Sequence, residues 1–341
     1  MQRINLLFLC MLLFYTTNCG VTAGEAKMRV TLQMPQGSLL YDSLEHFKDR
    51  VEKNSNGEVR IVLYPSSQLY KASEVRSAVG SGTIEMGASL LSEYVSVIPA
   101  VDIFSLPFLF SQTNVGKGAT LPGSPIRSLL EEAILIATNA RVLWWMPLGF
   151  HALVSKGSVL TSPASIVKKR VRAPGGSLSQ FLNLCGAIAV SASGSEQYNL
   201  LASGQVDASV TAIDSVSSRK MWEVADAVAL TRDVQEVWVV IVNETVWRSL
   251  APKQQLILQN AAREAERAGL EKLEAVEKQS ITLAVAHGMK VADITPEDLD
   301  DWKSCSTQMS EDFLAKSGSM GQKVMDGYRK VLAETLRPSS R

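Results

Sequence analysis

Strand-like and helix-like segments alternate along most of this chain. Residues 28–34 alternate in polarity as a strand does, and the apolar residues that follow recur at helical spacing as far as Asn56-Gly57. A second strand is predicted over 59–64, ending at Pro65. Because parallel strands need a crossover connection, usually a helix, this order predicts an α/β protein with a mostly parallel sheet.

The same order repeats in the second half of the chain. Strands are predicted over 142–145 and 151–155, on either side of Met146-Pro-Leu-Gly149, then around Arg172 and over 187–190 and 207–211, with helical segments between the later strands. A long helix is predicted from Pro252 to about Ala286, since proline suits the first helical turn, where its missing N–H would have no partner. A helix of this length is longer than one small domain requires. We therefore predict that it runs along two lobes.

The charge balance excludes one broad class of function. The 341 residues carry 34 Lys and Arg against 34 Asp and Glu, so the net charge at pH 7 is zero. Nucleic-acid binders normally carry a basic patch, whereas the longest basic cluster here is residues 168–170. We therefore expect no nucleic-acid partner, and the length allows two domains.

Residues 1–23 have the pattern of a signal peptide. Arg3 precedes an apolar run over 4–15, and residues 21–23 supply a small-x-small cleavage pattern. This pattern predicts export to the periplasm. Lipid attachment at Cys19 is the less favoured alternative, because Thr, Thr and Asn precede it where a lipobox has leucine and small residues.

Motifs for catalysis and for metal binding are weak. Ser-x-x-Lys occurs at Ser165 and at Ser217, but a pattern this loose arises by chance and has no Lys-Thr-Gly partner here. The three histidines are widely separated, and Cys185 and Cys305 fit no zinc spacing. We predict no enzyme activity, no cofactor and no protein-built metal site. Whether the two cysteines form a disulfide, and whether a metal ion assists a ligand, stay open.

One segment combines a strand with a possible ligand anchor. Residues 169–176 read Lys-Arg-Val-Arg-Ala-Pro-Gly-Gly, a short strand and a turn before a helix. Arg170 and Arg172 share one face of this strand and Val171 points to the other. A guanidinium binds a carboxylate through two parallel hydrogen bonds and stays charged, so one arginine is a candidate anchor for an acid. The alternative is that both are solvated or pair with local acids.

Several ordered segments resemble one family. They are Tyr64-Pro-Ser-Ser-Gln-Leu69, Ala78-Val-Gly-Ser-Gly-Thr-Ile-Glu-Met-Gly87, residues 99–110, Lys169-Arg-Val-Arg-Ala-Pro174, Glu196-Gln-Tyr198 and Ala202-Ser-Gly-Gln-Val-Asp-Ala208. Over about residues 28–335 the chain resembles the solute-binding subunits of tripartite ATP-independent periplasmic (TRAP) transporters, of the C4-dicarboxylate-binding-protein type. The resemblance implies a two-lobe periplasmic binding protein fold with crossovers between lobes, a lobe-spanning helix and an interlobe ligand cleft that closes by a hinge motion.

The resemblance also implies a division of the chain and an anchor. Lobe one would comprise 28–148 plus 236–275, and lobe two 149–235 plus 276–341. In that family the arginine of the strand before the proline binds the ligand carboxylate, and it matches Arg172.

Two positions depart from the pattern of dicarboxylate and sialic-acid binders. His151 stands where a second arginine often occurs, and Thr211 aligns with an asparagine. With an ordinary pKa of about 6.5, His151 would be mostly neutral at pH 7, so a second ion pair is not assured. Gln33, at the end of the first strand, and Ser89 are candidate polar contacts.

Aromatic residues lie close in sequence to these cleft positions, namely Trp144, Trp145, Phe150 and Trp238. They favour a monocarboxylate or hydrophobic organic acid, with core packing as the alternative for the tryptophans. The sequence thus predicts a receptor that delivers a carboxylate to a TRAP permease driven by an ion gradient. Alternatives are a sensing protein that docks on a receptor, a binder that works with a helical-repeat lipoprotein, and an enzyme on a binding-protein fold.

Overall fold

The computed structural model describes residues 26–335, so the predicted signal peptide and Cys19 lie outside the described residues. The strands are β1 (Ala26–Thr31), β2 (Val59–Tyr64), β3 (Met86–Leu90), β4 (Ala140–Ser155), β5 (Arg170–Ala173), β6 (Ile188–Ser191), β7 (Ala208–Ala212), β8 (Ala227–Leu230), β9 (Gln235–Asn243) and β10 (Lys290–Asp293). The helices are α1 (Leu39–Asn54), α2 (Ala72–Gly80), α3 (Thr113–Thr120), α4 (Pro125–Thr138), α5 (Pro163–Ile166), α6 (Gly176–Leu184), α7 (Gln197–Ala202), α8 (Ile213–Ser218), α9 (Glu244–Ser249), α10 (Pro252–Ala286), α11 (Pro296–Cys305) and α12 (Met309–Thr335).

The long strand β4 joins two sheets. Its residues 140–150 pair antiparallel with β9, and its residues 151–155 pair antiparallel with β7 and β8. The first sheet runs β2-β1-β3-β9-β4, and the second runs β6-β5-β7-β4-β8-β10. We call the half built on the first sheet lobe one and the half built on the second sheet lobe two.

The sequence predicted two separate strands here, on either side of a Met-Pro-Leu-Gly segment, and that prediction was wrong. The pairing of β4 with β9 shifts in register between Val142 and Trp144 and between Pro147 and Gly149. The strand therefore continues through the proline and the glycine. A β-bulge bends a strand and increases its twist, which lets one strand serve two sheets.

Helix α10 packs along both lobes, as predicted. It contacts α1 of lobe one and α8 and β10 of lobe two. Ser43 Oγ donates to Ala265 O at 3.3 Å, and Ser280 Oγ donates to Ile213 O at 2.7 Å. The helix therefore connects the two lobes on the side of the molecule where β4 crosses between them. Among residues 26–335, no helix is long and apolar enough to span a membrane.

Helix α12 lies against lobe one, although the predicted division places it in lobe two. It packs against α3, α4 and the turn Pro99–Ser105. The rings of Phe110 and Tyr328 meet edge to face at 5.3 Å. The predicted boundaries stay a prediction, and we propose that 309–335 be grouped with lobe one.

Candidate functional site

Arg172 lines the cleft between the two lobes. Strand β5 pairs with β6 and β7, and the Arg172 side chain is 4% exposed. Its Nε and Nη2 donate to Ala192 O at 2.9 and 2.7 Å, and its Nη1 donates to Val210 O at 2.9 Å. A guanidinium has five N–H groups, so one remains free on each terminal nitrogen. Unused N–H groups of a guanidinium are strong donors to a carboxylate.

The two arginines of this strand have different environments. Arg170 is exposed and pairs with Asp207 through Nη2 and Oδ1 at 2.8 Å. Burial lowers the pKa of Arg172 to about 10, which still leaves it charged at neutral pH. The interpretation as a locally paired arginine therefore holds for Arg170. Within residues 26–335, the hydrogen bonds of the buried Arg172 side chain all go to backbone carbonyls.

Arg172 lies in the wall of two cavities. An inner cavity of about 20 Å³ is lined by Arg172, Arg219, Thr211, Gln197, Ser215 and Glu236, among others. An outer cavity of about 340 Å³ extends from Arg172 towards lobe one, with Gln33, Lys71, Ser73 and Glu93 in its wall. The inner cavity has room for one small group and the outer one for the rest of a small molecule.

Both lobes contribute polar groups to the cleft. Gln33 follows β1, is 5% exposed and reaches lobe two, where Ser193 Oγ donates to its Oε1 at 2.9 Å. Ser177 of α6 donates to Asp102 of lobe one. These two hydrogen bonds join the lobes beside the cavities.

His151 is flanked by two carboxylates. Its Nδ1 lies 3.7 Å from Asp233 Oδ2, and its Nε2 lies 3.7 Å from Glu236 Oε2. Burial alone would lower the pKa of His151, but the two carboxylates outweigh burial and raise it to about 9. The prediction that His151 is mostly neutral at pH 7 was therefore wrong. Sequence alone did not show the acids that surround it.

Comparison with known proteins agrees with this architecture. The profile of the bacterial extracellular solute-binding protein family 7 matches residues 31–317. This chain is a member of that family, the solute receptors of TRAP transporters. The predicted family and fold class are thus confirmed, and the family consists of receptors rather than enzymes. Family members are extracytoplasmic and work with TRAP membrane subunits.

Three similar proteins illustrate the family. The receptor is 25% identical over 260 residues to the 2,3-diketo-L-gulonate-binding periplasmic protein of Escherichia coli, covering 76% of this chain and 77% of that one. It is 25% identical over 277 residues to the C4-dicarboxylate-binding periplasmic protein of Rhodobacter capsulatus, covering 80% and 82%. A Bordetella pertussis extracytoplasmic solute receptor binding pyroglutamic acid superposes with a TM-score of 0.84 at 23% identity, covering 89% and 99%.

The other predicted site residues of this receptor differ in position. Thr211 lines the inner cavity beside Arg172. Ser89 and Trp238 do not line either cavity: Ser89 is buried in β3, and Trp238 is fully buried in the core of lobe one. Trp238 Nε1 instead donates to Glu236 Oε1 at 2.7 Å, so Trp238 positions a cavity carboxylate.

The aromatic argument for a hydrophobic ligand loses its basis. Trp144 and Trp145 are fully buried in the two sides of the lobe-one core, and Trp144 packs on Phe47 at 4.9 Å. Closeness in sequence to a cleft residue does not place a side chain in the cleft, because successive strand residues face opposite sides. Core packing, the alternative left open for the tryptophans, is what the structure shows.

Sequence reasoning missed Arg219 and Glu236 as cavity residues. Arg219 follows α8 and lies within the Ser-x-x-Lys match that begins at Ser217. A cation at a helix C-terminus is favoured by the helix dipole, so its sequence position did not mark it as a site residue. Within residues 26–335, no group of three or more His, Cys, Asp or Glu side chains is arranged to hold a metal ion. Cys185 and Cys305 are free thiols.

Proposed function

We propose that this receptor binds a small monocarboxylate through Arg172 and delivers it to the permease subunits of a TRAP transporter. The observation that carries the proposal is a buried guanidinium with two unused N–H groups in the wall of two cavities. A buried charge without an ionic partner is costly, and a ligand carboxylate would supply that partner.

The charges around the inner cavity support a ligand with one carboxylate. Arg172 and Arg219 are the cations of its wall, and acids lie near both of them: Glu236 acts on each, Asp214 acts on Arg219, and Glu93 and Glu196 act on Arg172. With these acids present, the cavity offers little excess positive charge for a second carboxylate.

The names of the relatives support an organic acid as the ligand. Their stated ligands, a diketo sugar acid, C4-dicarboxylates and pyroglutamic acid, are all small organic acids. Because the tryptophans lie in the core and polar groups line the cavities, we propose a polar acid rather than a hydrophobic one. The predicted helical-repeat lipoprotein partner depended on a hydrophobic ligand, and no other observation supports that partner.

A thermal-shift experiment tests the anchor. Purified receptor is screened against mono- and dicarboxylates, beside Arg172→Ala and the matched variant Arg170→Ala on the same strand. An acid at 100 times its dissociation constant should stabilise the wild type and Arg170→Ala by about 2.7 kcal/mol. Loss of the buried anchor should cost about 3–5 kcal/mol of binding energy, which abolishes the shift in Arg172→Ala.

Two results would contradict the proposal. A shift of equal size in Arg172→Ala would show that the carboxylate binds elsewhere. A wild type that responds to no acid would remove the carboxylate assignment altogether. An acid that binds the wild type is then tested for uptake into vesicles that contain the permease subunits. This measurement separates transport from a sensing role, because a sensor would bind the acid without supporting its uptake.

A further inference from the structure

Arg219 is a second cation of the inner cavity with donors left unused. It follows α8 and faces the same cavity as Arg172. Its Nη2 lies 3.3 Å from Met34 Sδ, and its Nε is buried with no hydrogen-bond partner. A thioether is a weak acceptor, so this guanidinium lacks a strong one.

No acid of the described chain takes the place of that acceptor. Among the ion pairs of residues 26–335, none includes Arg219, although Glu236 and Asp214 lie near enough to act on its charge. Buried polar groups in native proteins nearly always have partners, and an unsatisfied charged donor is costly. The missing acceptor therefore points to a group brought by a ligand.

Glu236 adds the complementary half of the site. It lines the inner cavity, where its Oε1 accepts from Trp238 and its Oε2 lies 3.7 Å from His151 Nε2. An ionised carboxylate has about four acceptor positions, so Glu236 keeps capacity for a further donor. The cavity thus presents a donor on Arg219 and an acceptor on Glu236, both beside the anchor Arg172.

We propose that Arg219 and Glu236 select acids that carry a hydroxyl or amide next to the carboxylate, such as hydroxy acids and lactam acids. This inference rests on the proposed function, in which Arg172 holds the carboxylate. A hydroxyl or an amide both accepts and donates a hydrogen bond, as the two side chains require. The group must lie close to the carboxylate, because the inner cavity measures only about 20 Å³.

Matched pairs of acids test this selection by titration calorimetry. Lactate is compared with propionate, and pyroglutamate with cyclopentanecarboxylate, so that each pair differs chiefly in the hydroxyl or amide. The variant Arg219→Met keeps the length of the side chain without its donors. Lys220→Met, at the exposed neighbouring residue, is the matched control.

The wild type and Lys220→Met should bind the hydroxy or lactam acid about 10-fold to 100-fold more tightly than its plain partner, the range for a charged hydrogen bond. Arg219→Met removes a cation of the cavity and should weaken binding of both acids, but it should weaken the hydroxy or lactam acid more, so that most of the preference is lost. A circular-dichroism melt verifies that each variant is folded.

Three outcomes overturn the inference in different ways. Equal binding of both members of each pair by the wild type would refute the selection and leave the Arg172 anchor standing. An unchanged preference in Arg219→Met, or equal weakening of both acids, would show that Arg219 does not contact the selected group. A wild type that binds no carboxylate would instead refute the proposed function, and this inference with it.

Discussion

His151 should stay protonated well above neutral pH and stabilise the folded receptor in that form. Asp233 and Glu236 raise its pKa to about 9, against an ordinary value of about 6.5. A difference of this size corresponds to about 3 kcal/mol in the free energy of unfolding. Both acids are mostly buried, with side chains 6% and 14% exposed, so solvent screens the attraction little.

The pH range follows from the direction of the change. Because the pKa in the folded state lies above that in the unfolded state, the stabilisation is fully present below about pH 6.5 and is lost as the pH rises through about 9. In His151→Gln the contribution is absent. The difference in unfolding free energy between wild type and variant should therefore shrink by about 3 kcal/mol from pH 6 to above pH 9.

Urea unfolding at pH 6, 7, 8, 9 and 10 measures this difference, with His46→Gln on α1 as the control for loss of an imidazole elsewhere. The chain has three histidines, so ring nitrogen shifts in NMR spectra can be assigned by the same variants. A neutral His151 ring at pH 7.5, or a difference that does not vary with pH, would refute the argument that two carboxylates hold the proton.

Three further predictions concern buried contacts. Arg127→Met leaves Glu266 buried without its partner and should lower the free energy of unfolding, measured in urea, by about 3–5 kcal/mol. Adding Glu266→Gln should recover much of this loss, and a variant Arg127→Met as stable as the wild type would contradict a buried ion pair. Gly149→Ala should lower the melting temperature, since φ is +93° and an added Cβ would lie 1.9 Å from Glu277 Oε1; an unchanged melt would argue against this close packing. Trp238→Phe should weaken ligand binding about 5-fold to 10-fold in calorimetry by removing the donor to the cavity carboxylate, and unaltered affinity would remove Trp238 from the site.

Much of the fold could be predicted from local patterns. The alternation of strands and helices and both ends of α10 were correct, because polarity periodicity and the proline at the first helical turn depend on residues near in sequence. The break predicted within β4 was wrong, since a proline and a glycine that usually end a strand are accommodated by irregular pairing with β9.

The candidate site could also be predicted only in part from the sequence. The sequence by itself marked Arg170 and Arg172 on one strand, and its resemblance to a receptor family selected Arg172 and implied a cleft between lobes. Only the tertiary structure decided that His151 is charged, that Arg219 and Glu236 line the cavity and that the tryptophans lie in the core. These properties depend on burial and on charges brought together from distant parts of the chain, and neither is encoded in the spacing of neighbouring residues.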